Sequence, residues 1–205
     1  MRWNMKLLLV SLVGYLIGSI PFAYVIGKVF YQTDVRQHGS GNLGGSNTGR
    51  VLGAKAGLAV MALDMLKVTL SAYLAARISG HLWALSLAAL AAAVGHCYPI
   101  FARFRGGKAV AAFYGYLFAL WVCAEHSHTV FLLPFCTFLI VLAVSRIVSL
   151  SSILSSAAAV LYLWLSGAHA IVILDAAIIS GLIIVRHSGN IQRMRSGTER
   201  KIQWL

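Results

Sequence analysis

Acid is scarce in this chain: five aspartates and glutamates in 205 residues face 17 lysines and arginines, for a formal net charge of +12. So few carboxylates, and no His/Asp/Cys cluster at metal-ligand spacing, argue against a metal centre. No metal and no cofactor are expected. Cysteine is sparse too. Cys97, Cys123 and Cys136 lie far apart in apolar surroundings without a CxxC pair, which reads as packing rather than disulfide or metal chemistry. No basic low-complexity tail is present, so the positive charge makes no case for nucleic acid. No long linker divides the chain, and residues 1–205 are expected to form a single membrane domain.

Charge of either sign is low. Only 11% of residues are charged, where a soluble domain carries about a quarter, while 60% are apolar and the mean hydropathy is +0.82. This composition is that of an integral membrane protein. Seven apolar stretches can be marked, at about 7–29, 56–76, 82–101, 109–124, 129–145, 150–166 and 170–186. The first begins with basic residues, as a signal peptide does. Its apolar run is too long for one, however, and no Ala-x-Ala site follows before Pro21, so it is read as a mature helix.

If the stretches alternate across the bilayer, one side collects Lys28, Arg36, Arg50, Lys55, Arg103, Arg105, Lys108, Arg146, Arg186, Arg193, Arg195, Arg200 and Lys201, and the other only Arg2, Lys6 and Arg77. The positive-inside rule then places the rich side in the cytoplasm. The expected fold is an all-α bundle of about seven transmembrane helices, with the N-terminus outside and the C-terminus cytoplasmic. His81, His126, His128 and His169 fall at outer turns, where a solvated role is expected.

Three segments on the basic side stand out. The long connection after the first stretch contains His38-Gly-Ser-Gly-Asn-Leu-Gly-Gly-Ser-Asn-Thr-Gly-Arg50, too glycine-rich to be expected as a stable helix. Its uncovered amides, with Arg50 and the start of the following helix, suit a phosphate; a flexible surface loop is the alternative. The second segment, Gly95-His96 through Pro99 to Gly106-Gly107-Lys108, is not a nucleotide-binding Walker loop, because Ala102 and Ala109 replace the required glycine and hydroxyl. Its glycines would let a phosphate near the backbone while Lys108 neutralises it, although an ordinary basic loop would look similar. Near 146–152, Ser149 and its neighbouring serines read as helix caps. At the C-terminal end, His187 and Asn190 are three residues apart, on one face if helical. Within the second stretch Asp64 and Lys67 share a helix face near mid-depth and are expected to pair with each other or with other partners, because a lone charge there costs several kcal/mol. Asp175 raises the same question, and His96 reads as a core histidine.

Taken together these motifs resemble one family over nearly the whole chain, the bacterial membrane acyl-phosphate:glycerol-3-phosphate acyltransferases. The resemblance lies in Ser40-Gly41-Asn42-Leu43-Gly44-Gly45-Ser46-Asn47 with Arg50, in Gly95-His96 through Gly106-Gly107-Lys108, and in His187, Asn190-Ile191, Arg193 and Glu199. Asp64 to Lys67 and Ser149-Leu150 are similar as well. The chain departs at Leu43, where proline is frequent, and at Gly45-Ser46, Val68 and Ala112; none of these removes a charge.

The resemblance implies transfer of a fatty acyl group from acyl phosphate to the sn-1 hydroxyl of glycerol 3-phosphate, at the cytoplasmic face of the bacterial plasma (inner) membrane. It implies catalytic roles for Ser40, Arg50, Lys108, Ser149, His187 and Asn190, and substrate binding by Gly41, Asn42, Gly44, Ser46, Asn47, Gly106, Gly107 and Glu199. Acyl phosphate, glycerol 3-phosphate and the lipid bilayer are the partners it implies. No histidine has an aspartate five positions later, the arrangement of thioester-dependent glycerolipid acyltransferases, which favours the acyl-phosphate donor. Two rival readings fit the same composition, a transporter for a phosphorylated metabolite and a non-catalytic membrane subunit. A transporter would bind near the bilayer midplane, where only Asp64 and Lys67 point.

Overall fold

The computed structural model describes residues 3–124 and 127–202; Arg2 and His126, assigned to the outer side above, lie outside the described residues. Every regular element among them is helical: α1 (Trp3–Gly18), α2 (Phe22–Tyr31), α3 (Gly45–Leu52), α4 (Ala54–Ser79), α5 (Leu82–Cys97), α6 (Val110–Cys123), α7 (Thr129–Ser145), α8 (Val148–Leu165), α9 (Ala170–Arg186) and α10 (Ser188–Arg195), with 3-10 turns at Val35–Gln37 and Ile100–Ala102. The chain is an all-helical membrane protein. By length and composition four helices among the described residues suffice to cross a membrane, Trp3–Tyr31 counted as one, and a fifth is added if α9 and α10, bent by 58°, form one span; α6 and α7 are shorter apolar helices. The last six of the seven apolar stretches thus each coincide with a helix, α4 to α9.

Two expectations are corrected. The first stretch is interrupted where Pro21 lacks an amide, so that α1 ends at Gly18 and α2 restarts at Phe22. The glycine-rich segment is not irregular throughout, since Gly45 to Leu52 is the helix α3. Its low intrinsic propensity is overridden by packing. Gly45 and Gly49 of α3 meet Gly57 of α4 backbone to backbone, and side chains at these positions would hold the helices apart.

The same device joins α1 to α5. Gly14 and Gly18 sit against the backbone of Ala88 and Ala92, and Gly95 of α5 sits in turn against Tyr15 and Ser19. Small residues four apart let two helices approach closely, and lipid offers no comparable contact. Larger side chains fill the centre, where Phe113, Tyr116, Leu117 and Leu120 of α6 pack with Leu163, Ile179 and Ile183.

Polar groups buried between the helices are tied together. Asp64 Oδ1 and Lys67 Nζ are 2.7 Å apart, as expected, and Lys67 also donates to the Ile20 carbonyl (2.8 Å), freed by the proline break. Ser86 Oγ donates to Asp175 (2.6 Å) and shares a bond of 2.9 Å with the Tyr116 hydroxyl.

The helices alternate between two ends. At one, the Trp3 ring meets His81 (4.5 Å between centroids) and Trp83 meets His169 (6.1 Å). His169 is not merely solvated there, since its Nδ1 accepts from the Ile171 amide and caps α9. At the other end lie the connections 32–44, 98–109 and 146–147 and the C-terminal segment. A Cβ at Gly18 would penetrate the Ala92 backbone, so Gly18→Leu is expected to destabilise the protein by about 1–3 kcal/mol or more. Leu8→Ala, on an exposed face of α1, is expected to stay within about 0.5 kcal/mol. Thermal unfolding of both variants in detergent checks the contrast.

Candidate functional site

The connection before α3 is shaped from within. Asp34 caps the turn at Val35–Gln37 through the Arg36 amide (3.1 Å) and grips the Arg36 guanidinium with both oxygens (2.9 and 2.7 Å), while that guanidinium lies 4.3 Å from the centre of the Tyr24 ring. The bonds from the Arg36 side chain, against the opposing effect of burial, hold the Asp34 carboxyl down to about 2. Asn47, buried on α3, finishes the turn: its Oδ1 accepts from the Ser40 amide (2.8 Å) and hydroxyl (3.1 Å), and its Nδ2 donates to the carbonyls of Val35 (3.1 Å) and His38 (3.2 Å). Both polar atoms of that amide are engaged, so Asn47 anchors the loop. What it holds out is Ser40, with Arg50 Nη2 3.4 Å from the Ser40 hydroxyl.

Gly41 and Gly44 serve the same bend. Gly41 takes a φ of +67°, open to glycine, and donates to the His38 carbonyl (3.0 Å); Gly44 is the N-cap of α3. No side chain caps α3; its Asn47 and Thr48 amides donate to the Gly44 carbonyl, and the exposed Ser46 lies at the positive end of the helix. The helix start expected beyond Arg50 thus lies earlier, within the glycine-rich segment.

The connection between α5 and α6 is held from all sides. The Gly106 amide donates to the Cys97 carbonyl (3.2 Å) and the Gly107 amide to that of His96 (2.9 Å), closing the C-terminus of α5. Both amides are thus engaged inside the protein. The carbonyls of the same glycines accept from Asn42 Nδ2 (3.2 Å, to Gly106) and from Arg186 (Nε to Gly107, Nη2 to Gly106, each 3.0 Å). Such bracing sustains a left-handed backbone at Arg103, Phe104 and Ala109, where side chains are disfavoured. Lys108 emerges between Gly107 and Ala109 and bonds Asn190 Oδ1.

The C-terminal segment completes the cluster around Glu199. This carboxylate accepts from Ser149 Oγ (2.8 Å), Asn190 Nδ2 (2.5 Å) and Arg193 Nε (2.7 Å). Those bonds, working against its burial, hold its carboxyl below the usual range. Ser149 is consequently not a helix cap: α8 begins after Ile147 with no side-chain cap, and its first serines bond back to their own helix. The Ile202 amide donates to the Arg146 carbonyl (2.8 Å) and ties the segment to the 146–147 turn.

His187 ends α9 and starts α10, with Asn190 one turn on. Its Nδ1 is 2.8 Å from the Ile183 carbonyl. A carbonyl only accepts, so Nδ1 carries the proton and Nε2 of the neutral ring is left as an acceptor. Burial pushes the His187 imidazole down to about 4.

The structure therefore brings Ser40, Arg50, Lys108, Ser149, His187 and Asn190 to one end of the bundle, on four separate stretches of chain. Glu199 is the hub that holds Ser149, Asn190 and Arg193 through three hydrogen bonds. Sequence reasoning missed Arg186, which braces the Gly106–Gly107 turn and lies over the Tyr98 ring (5.3 Å); its only signal was its place directly before His187.

Around Glu199 the charges do not balance. Arg50, Lys108, Arg186, Arg193 and Arg200 gather near one carboxylate, and burial first, then Arg200, works against the Arg50 charge. Lys108 is pushed down to about 8, by burial first and then by Arg193, Arg50 and Arg186, with Glu199 opposing them. Groups so arranged favour a polyanion, which relieves their repulsion. Lys108 is then a cation below about pH 8 and loses its charge above it. For the reaction the site supports, kcat/KM, which reports the free enzyme, is expected to fall as pH rises through about 8. Lys108→Arg should move that limb to higher pH, since a guanidinium stays charged; an unmoved limb would assign it to another group.

The chain is similar to known proteins. A family model described as glycerol-3-phosphate acyltransferase matches residues 8–197. A glycerol-3-phosphate acyltransferase of Geobacillus kaustophilus (strain HTA426) is 47% identical over 196 residues, 96% of each chain. One from Listeria monocytogenes serovar 1/2a is 42% identical over 206 residues, covering 98% of this chain and 100% of the relative. Among solved structures, PlsY (YgiH), described as an integral membrane glycerol 3-phosphate acyltransferase, is similar in its glycerol 3-phosphate form with a TM-score of 0.88 and 39% identity over 96% of each chain. Its lysphosphatidic acid form gives a TM-score of 0.86 and 38% identity, over 96% of this chain and 95% of that one.

Proposed function

The chain belongs to the glycerol-3-phosphate acyltransferase family, and on that premise we propose that it moves a fatty acyl group from an acyl phosphate to the sn-1 hydroxyl of glycerol 3-phosphate, giving lysophosphatidic acid and inorganic phosphate. The observation that carries this reading is the surplus of cations about a single carboxylate where the four polar segments meet. Both substrates bring a phosphate to the same place, and two phosphates repel unless fixed positive charge lies between and around them. Arg50 and Lys108 supply that charge. The active end faces the cytoplasm of a bacterium, across the plasma (inner) membrane, as the one-sided distribution of lysines and arginines supports.

An acyl phosphate is a mixed anhydride, so the donor is already activated. The remaining task is to place a hydroxyl about 3 Å from the carbonyl carbon and to stabilise the oxyanion that forms there. The hydroxyl oxygen bonds to the carbonyl carbon, the bond from that carbon to the phosphate oxygen breaks, and the hydroxyl proton leaves with the phosphate. Asn190 keeps a second Nδ2 hydrogen for orientation and for the oxyanion, while Ser40 and Ser149, whose single hydroxyl hydrogens go to Asn47 and Glu199, orient substrate through their oxygens, with Gly41, Asn42, Gly44 and Ser46 shaping the bed. His187 is a weak base at about 4, which supports the departing phosphate as proton acceptor and leaves Nε2 to orient the attacking hydroxyl.

Purified protein given glycerol 3-phosphate and palmitoyl phosphate is expected to release phosphate and form lysophosphatidic acid in equal amounts, and to form no product from palmitoyl-CoA. Product from the thioester alone would overturn the donor; no product from either, in folded protein, would overturn the reaction. Arg50→Ala and Lys108→Ala are each expected to lower kcat/KM about a hundredfold, the usual scale for loss of one transition-state donor.

A further inference from the structure

The ion pair buried in the middle of the bundle has a third member that leads to the site. Asp64 Oδ1 lies 2.7 Å from Lys67 Nζ and 3.4 Å from His96 Nδ1, and all three residues are buried. Its other oxygen has no hydrogen-bond partner among the described residues, so Lys67 and His96 together hold the carboxylate through one atom. Lys67 is fixed in turn by the Ile20 carbonyl at the break between α1 and α2.

His96 faces the site with its other parts. Its carbonyl accepts from the Gly107 amide (2.9 Å), and its ring lies directly under Gly107, where a Cβ would run into Nε2, Cε1 and Cδ2. Gly107 immediately precedes Lys108, and Ala109 on the far side is held in a left-handed backbone with its own side chain fully buried. Arg186 clamps the Gly107 carbonyl from above. The height of the Gly107–Lys108 turn is therefore set from below by the His96 ring, and that ring is set by Asp64.

We propose that Asp64, Lys67 and His96 form a truss inside the bilayer that positions Lys108 against its substrate's phosphate. His96 is a positioning residue in this arrangement and touches no substrate. The glycine at 107 is required by the ring beneath it, because its amide is already spent and its φ is not one that demands glycine. The inference rests on the reading of Lys108 as a phosphate-neutralising group.

That dependence yields a test which loss of folding does not mimic. Gly107→Ala alone is expected to lower kcat/KM for glycerol 3-phosphate with palmitoyl phosphate at least thirtyfold, since the methyl must lift the turn. His96→Ala is expected to lower it at least tenfold with a thermal unfolding midpoint close to that of the parent. In the double variant the methyl occupies the space the ring has left, so adding Gly107→Ala to His96→Ala is expected to cost less than threefold or to restore activity. If His96→Ala does not purify folded, His96→Asn, which keeps a donor in place of Nδ1 and withdraws the ring from Gly107, takes its place in the cycle. An equal cost of Gly107→Ala in both backgrounds, or parental kcat and KM in the folded His96 variant, would overturn the truss. Lys108→Ala separates the two readings: an inactive Lys108 variant with an uncoupled cycle removes the truss alone, and a fully active one removes the role of Lys108 and the truss with it.

Discussion

Lipid tails are as apolar as leucine, so packing one leucine against another gains little inside a bilayer, and helices there are held by contacts that lipid cannot match. In this bundle those contacts are of two kinds. Gly14, Gly18 and Gly95 bring α1 and α5 into backbone contact, and Gly45, Gly49 and Gly57 do the same for α3 and α4. Buried polar groups supply the rest: Asp64 with Lys67 and His96, and Ser86 with Tyr116 and Asp175. Each would be expensive alone in hydrocarbon, so each is stable only while its partners are in register. Glycine approach fixes how near the helices come, and polar pairing fixes their height along one another.

Height matters because the site is assembled from separate stretches of chain that meet only at one end of the bundle. The polar segments are joined there by a few cross-connections: Asn42 to Gly106, Arg186 to Gly106 and Gly107, Ser149 to Glu199, and Ile202 to Arg146. A helix sliding by one residue, about 1.5 Å, would break several of these bonds together. Register locked within the membrane is what lets a set of short connections hold cations close despite their repulsion. Glu199 answers part of that repulsion, and the remainder is a standing preference for anions.

Much of this was legible in the chain. Apolar runs of near-spanning length located the helices, and the one-sided cations showed which connections would gather. Asp64 and Lys67, three apart on a helix face, announced their own pairing. The errors share a cause, which is that a side chain's partner across the fold leaves no trace in its local sequence. Gly45 to Leu52 reads as loop by propensity and is helical because Gly57 of α4 lies against it. Ser149 reads as a cap and instead reaches Glu199, fifty positions later in the chain. Arg186 reads as the basic end of a helix, and its engagement with Gly106 and Gly107 appears only when α9 packs beside the preceding turn.

The Gly106-Gly107-Lys108 sequence carries this point furthest. Glycines before a lysine suggest a backbone nest for phosphate, yet both amides close the end of α5 and neither carbonyl is free. What the turn presents is a single ammonium on a braced stem, while α3 begins without a side-chain cap. The proposed reaction brings two phosphate groups to this end of the bundle, and on that reading they would be met separately, one by the point charge of Lys108 and one by the start of α3, with Arg50 on α3 between them. A site divided in this way would hold both without their sharing the same donors.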